Sequence, residues 1–127
     1  MKVVFLLSGL DSGGLENYLL RFLTYCSRSD LKLEATIICR GEVRAKKGVL
    51  APKFIALGVI IEHMPMHHLS VKKHLHLCKY LKEKQFDVLC DFGGYLSGFV
   101  MLLAFVLGIR TRIASYRESR FQFTPTV

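Results

Sequence analysis

The chain has 127 residues and a formal net charge of +8, and hydrophobic residues make up 51% of it against 22% charged residues. These values indicate one globular domain with a sizeable core and exclude a disordered chain. The basic excess suits three anionic partners: nucleic acid, a membrane face or a phosphorylated small molecule. Nucleic acid is disfavoured, because the sequence has no RNA-recognition signature, no zinc-finger spacing and no long basic block.

The first 28 residues predict a strand, a glycine-rich turn and a helix. Residues 2–7 form a continuous apolar run, and an apolar stripe at helical spacing follows over 15–28. Gly13 and Gly14 fall where this helix begins, and free N–H groups at a helix start suit a phosphate. A turn that binds nothing is the alternative, because the spacing is neither a dinucleotide fingerprint nor a P-loop.

Strand and helix patterns alternate along the rest of the chain. They predict strands over 33–39, 59–62, 87–90 and 110–115, and helices over 49–57, 69–84 and 95–107. This alternation indicates an α/β fold, in which about five parallel strands form an open sheet with helices on both faces.

Two of the helices carry informative faces. In the helix over 69–84 an apolar stripe lies opposite a lysine-rich face, which suits an anionic membrane surface and equally suits exposure to water. The stripe consists of Val71, Leu75, Cys78 and Leu81. The wholly apolar run 99–107 is shorter than the roughly 20 residues that a membrane span needs. We therefore expect the helix over 95–107 to be buried, and no transmembrane segment.

Candidate site residues follow two strands. Ligands of open α/β sheets bind beyond the carboxyl ends of the strands, where residues 9–14 and a second turn with Asp91, Gly93 and Gly94 should lie. A carboxylate there suits a general base, or it orders the turn as a cap. Arg117, just past the fifth strand, is a phosphate ligand or an exposed loop residue.

The cysteines and histidines predict neither a metal site nor a disulfide. The four cysteines include no Cys-x-x-Cys, and the five histidines lack any standard zinc spacing. Reduced, mostly buried thiols are typical of a cytoplasmic protein. No export signal is predicted either, because no small-residue cleavage site follows the first apolar run.

The order of these motifs resembles that of GT-B glycosyltransferases of the family 4 type. Residues 8–16 are similar to the Gly-Gly-x-Glu start of that family. Residues 86–98 and 107–114 are similar to its later strand, short loop, apolar helix and basic strand. The resemblance extends from residue 1 to about residue 117.

The resemblance implies a Rossmann-like acceptor-side domain over residues 1–117, one half of a GT-B fold, with 118–127 starting a loop or linker before a donor-binding domain. It implies sugar transfer from a nucleotide-sugar to a sugar or lipid-linked acceptor hydroxyl in bacterial surface polysaccharide synthesis. Metals and other cofactors are not expected. The lysine-rich face of the helix over 69–84 would allow peripheral contact with the inner membrane face of a cytoplasmic enzyme. We expect these residues alone to be inactive.

The resemblance also assigns site residues. Gly13 and Gly14 match the loop that approaches the donor diphosphate. Gly93 and Gly94, which lie in the later stretch similar to the family, and Arg117, from its place after the fifth strand, are the other candidates for diphosphate and acceptor contacts.

The catalytic position departs from the family. A His-x-His often ends its fourth strand, but Cys90 and Phe92 occupy those places here. Asp91 between them is therefore the catalytic candidate. Two other functions remain: a non-catalytic flavodoxin-like binding or regulatory module, and a membrane-surface adaptor.

Overall fold

A computed structural model describes residues 1–7, 14–31, 33–40, 49–64, 71–92 and 97–114. These residues form five strands and four helices in strict alternation. In chain order they are β1 (Lys2–Leu7), α1 (Gly14–Arg28), β2 (Glu34–Cys39), α2 (Ala51–Ala56), β3 (Ile60–His63), α3 (Val71–Lys84), β4 (Val88–Asp91), α4 (Ser97–Val106) and β5 (Thr111–Ala114).

The strands form one parallel sheet in the order β3-β2-β1-β4-β5. From β1 the chain builds outward to β3, and it then crosses back through α3 to place β4 on the other side of β1. The strand order therefore reverses between β1 and β4, which is where open α/β sheets bind their ligands. The predicted five-stranded parallel sheet is confirmed.

The core consists of two layers, one on each face of the sheet. Alternate β1 residues point to opposite faces, as strand geometry requires. Val3, Phe5 and Leu7 pack with α1 and α2, whereas Val4 and Leu6 pack with α3 and α4. The predicted placement of helices on both faces is confirmed.

The apolar stripe that we predicted for α3 is only partly the side that is buried. Leu75 is 63% exposed, whereas Leu77 is fully buried and Leu81 nearly so. Leu77 and Leu81 are four residues apart and so share one side of the helix, which packs against the sheet. The predicted stripe was correct at Leu81 and wrong at Leu75.

Helix α4 is not the buried helix that we expected. Val100 and Ala104 pack in the core, but Leu102, Phe105 and Val106 are all more than half exposed. The apolar composition of α4 therefore exceeds what one sheet face can cover. None of the helices among the described residues has the length and apolar content that a membrane crossing requires.

Candidate functional site

The carboxyl ends of β1 and β4 lie side by side. Leu6 is paired with Asp91 in the parallel register, and the Phe92 N–H donates to the Leu6 carbonyl at 3.0 Å. The chain leaves β1 at Leu7, at this same edge of the sheet, and α1 begins at Gly14. The sequence placed Asp91 in the turn after the fourth strand, whereas in the structure it is the last residue of β4.

Asp91 forms an ion pair that the sequence did not predict. Its side chain is fully buried, and its Oδ1 lies 3.6 Å from Nη1 of Arg40, whose side chain is 10% exposed. Arg40 is the first residue after β2, and its N–H donates to the Leu7 carbonyl at 2.7 Å. The pair therefore spans the end of β1, and the positive charge of Arg40 compensates a carboxylate that is expensive to bury alone.

One sequence signal could have identified Arg40. It directly follows a run of five buried strand residues, at the same end of the sheet as Asp91. A charged residue in that position lies at the ligand edge of a parallel sheet.

Asp91 and Phe92 point to opposite faces of the sheet. Asp91 is in register with Leu6, which belongs to the core layer under α3 and α4. Phe92 packs in the other layer, where its ring stacks on Phe5 with centroids 6.3 Å apart. Phe92 occupies the place of the second histidine of the family motif, so the Asp91 side chain lies on the other face of the sheet from that position.

Gly14 is the first residue of α1, and it lies on the exposed surface. A Cβ built on it would meet nothing within 4 Å among the described residues. The packing of these residues therefore leaves room for a side chain there. Gly13, Gly93, Gly94 and Arg117 lie outside the described residues.

Two thiols lie near the same edge and are protonated at neutral pH. Cys39 is the last residue of β2, and Cys90 precedes Asp91 in β4. Burial raises the pKa of each thiol from 9.0 to about 11. Because the thiolate is the reactive form, neither cysteine is suited to act as a nucleophile.

Cavities lined by described residues lie at the opposite edge. One of about 320 Å³ is lined by residues that include Lys2, Glu34 and Ile60, which begin three strands. It is remote from Asp91 and does not coincide with the reversal of strand order. In the part of the chain that the structure describes, no three histidine, cysteine or acidic side chains are grouped to hold a metal ion.

The parallel sheet, the reversal of strand order and the polar carboxyl edge define a Rossmann-like domain. Its fold is similar to that of part of a solved glycosyltransferase, the lipopolysaccharide outer core galactosyltransferase WaaB in its apo form. The TM-score is 0.61 at 15% identity, and the match covers 90% of this chain and 32% of that one.

The sequence is similar to a curated enzyme as well. It is 28% identical over 123 residues to the capsular polysaccharide biosynthesis glycosyltransferase CapH of Staphylococcus aureus, a match that covers 94% of this chain. No family model matches. The chain spans about a third of the length of both proteins, 32% in each case. The resemblance to GT-B glycosyltransferases is confirmed.

Proposed function

We propose that these residues are the acceptor-side domain of a glycosyltransferase that moves a sugar from a nucleotide-sugar to an acceptor hydroxyl. The observation that carries the proposal is the similarity to CapH along 94% of this chain. That relative is a glycosyltransferase of capsular polysaccharide biosynthesis, which supports an acceptor from surface polysaccharide synthesis. The pairing of the β1 and β4 ends supports the carboxyl edge as the site.

The nucleotide-sugar diphosphate would lie at the start of α1. There the main-chain N–H groups of Gly13 and Gly14 would stabilise the charge that develops on the leaving diphosphate. The open space around Gly14 supports a close approach to the main chain. Gly93, Gly94 and Arg117 would contribute the remaining diphosphate and acceptor contacts.

Asp91 would orient the acceptor hydroxyl or take its proton. Its complete burial favours the orienting role, because that role can act through the paired Arg40, whereas a base must itself come within hydrogen-bond distance of the hydroxyl. The reaction needs no metal in this scheme, since main-chain N–H groups and cationic side chains carry the charge.

The proposal extends to the surroundings of the enzyme. A donor-binding domain would follow residues 1–117, with 118–127 as the start of the loop or linker. A lysine-rich, exposed face of α3 supports peripheral contact with an anionic membrane on the cytoplasmic side. It consists of Lys72, Lys73, Lys79, Lys82 and Lys84.

The test is turnover of the full-length protein with Asp91→Asn. Release of nucleoside diphosphate from a panel of nucleotide-sugars is measured with lipid-linked glycan extracted from the source cells as acceptor. We expect wild-type turnover and a loss of about a hundredfold in Asp91→Asn, because a misplaced acceptor reacts far more slowly. Asp87→Asn is the matched control, because Asp87 precedes the amino end of β4 and accepts a hydrogen bond from the Lys2 N–H. Unchanged turnover in Asp91→Asn would remove Asp91 from the mechanism.

A wild-type protein that releases no nucleoside diphosphate but binds flavin would instead be the flavodoxin-like module. Titration of the same preparation with flavin mononucleotide separates these two functions.

A further inference from the structure

Arg40 is a largely buried cation, and the proposed function assigns it no ligand of its own. Three strands fix its position: its N–H donates to the Leu7 carbonyl, and the Cys39 carbonyl before it accepts the Met64 N–H at 2.9 Å. Its side chain is only 10% exposed, so the guanidinium is held near the carboxyl edge rather than free in solvent.

The ion pair with Asp91 leaves hydrogen-bonding capacity on Arg40. The distance of 3.6 Å from Nη1 to Oδ1 exceeds the 2.7–3.2 Å of a hydrogen bond. Nη1 makes no hydrogen bond with any residue that the structure describes. A guanidinium carries five N–H donors, and a buried donor that stays unsatisfied is costly. The carboxylate thus balances the charge of Arg40 without occupying Nη1.

We propose that Arg40 is an oxyanion-binding residue of this site, and that Asp91 is the counter-charge that positions its guanidinium. The ligand group is a phosphate oxyanion, whose oxygens match the planar fork of the guanidinium. This inference rests on the proposed function for the source of the ligand. That source is the diphosphate of the donor or a phosphomonoester of the acceptor.

The experiment is calorimetric titration of the full-length protein at low salt. Inorganic pyrophosphate represents the diphosphate, glycerol 1-phosphate the phosphomonoester, and acetate a carboxylate. Arg40→Gln and Arg40→Lys are compared with the wild type. Arg110→Gln is the matched control, because Arg110 is exposed and immediately precedes the opposite, amino end of β5.

We expect Arg40→Gln to weaken binding of one phosphate probe at least tenfold, and Arg110→Gln to weaken it less than twofold. Arg40→Lys keeps the charge but not the fork, so it should fall between the wild type and Arg40→Gln. Thermal unfolding of each variant checks that it is folded. If Arg40→Gln is not folded, the Arg40→Lys titration decides, and a loss of threefold or more supports the proposal.

Equal phosphate binding by the wild type and the folded Arg40 variants overturns the inference, as does tighter binding of acetate than of either phosphate probe. Sugar transfer by the wild type together with Arg40-independent binding overturns this inference alone. Arg40-dependent phosphate binding without sugar transfer supports it and overturns only the proposed function.

Discussion

The Arg40 guanidinium lies 3.6 Å from the Asp91 carboxylate, across the end of the central strand β1. Removing either partner takes the counter-charge of this pair away from the other, which for a buried pair costs about 3–5 kcal/mol. We therefore expect Arg40→Met and Asp91→Leu each to lower the free energy of unfolding by about that amount. Urea denaturation at pH 7 measures it.

The double variant Arg40→Met/Asp91→Leu separates the ion pair from simple packing. Apolar residues of similar volume often replace a buried ion pair at little cost, so we expect its stability to lie within about 1–2 kcal/mol of the wild type. Additive losses in the double variant would mean that the two charges do not stabilise each other in the folded protein.

The architecture could be predicted from the sequence because the inner strands β1 and β2 contain short apolar runs that end near polar or glycine-containing stretches. The apolar run 2–7 forms β1, and Gly58, with a φ of 81°, follows the end of α2 as predicted. Such local signals act over a few residues, and parallel pairing then follows from the alternation of strands and helices.

The sequence-based predictions failed, or were missing, for features that depend on tertiary packing. On α3 both Leu75 and Leu77 are apolar, and only contact with the sheet determines that Leu77 is the buried one. The Arg40–Asp91 pair joins residues far apart in the chain, so it depends on strand order and register. The face on which Asp91 lies follows from its pairing with Leu6, which alternation within β4 alone does not specify.

Leu77 and Leu75 offer a matched test of which side of α3 is buried. Leu77→Ala removes a fully buried side chain, and we expect it to lower the free energy of unfolding by about 2–5 kcal/mol. Leu75→Ala, on the exposed side of the same helix, should change it by no more than about 0.5 kcal/mol. Chemical denaturation of both variants measures the difference. A larger loss in Leu75→Ala would reverse the orientation of α3.

Alkaline pH should destabilise the protein through Cys39 and Cys90. Burial raises the pKa of both thiols to about 11, so the folded protein holds these protons more tightly than the unfolded chain does. Their contribution to stability is therefore complete below pH 9, the value for an ordinary thiol, and is lost as the pH rises toward 11. The loss is up to about 2–3 kcal/mol for each thiol.

The double variant Cys39→Ala/Cys90→Ala tests this contribution. Urea denaturation between pH 8 and pH 11 should show a smaller fall in stability than in the wild type, whatever the variant loses in packing at pH 8. Parallel curves for the two proteins would show that these thiols do not contribute to the pH dependence.

Alanine variants of Gly14 and Gly58 should distinguish a glycine required for ligand binding from one required for stability. A Cβ on Gly14 meets no described residue, so Gly14→Ala should keep stability or raise it by up to about 1 kcal/mol, because alanine favours the helix. It should nevertheless lower sugar transfer at least tenfold, because the methyl group would keep the diphosphate from the main chain.

Gly58→Ala should lower the free energy of unfolding by about 1–2 kcal/mol, because a φ of 81° strains a residue with a side chain, and it should retain turnover. Thermal unfolding and nucleoside diphosphate release are measured on both variants, and full turnover in Gly14→Ala would contradict a role for this helix start in binding the donor.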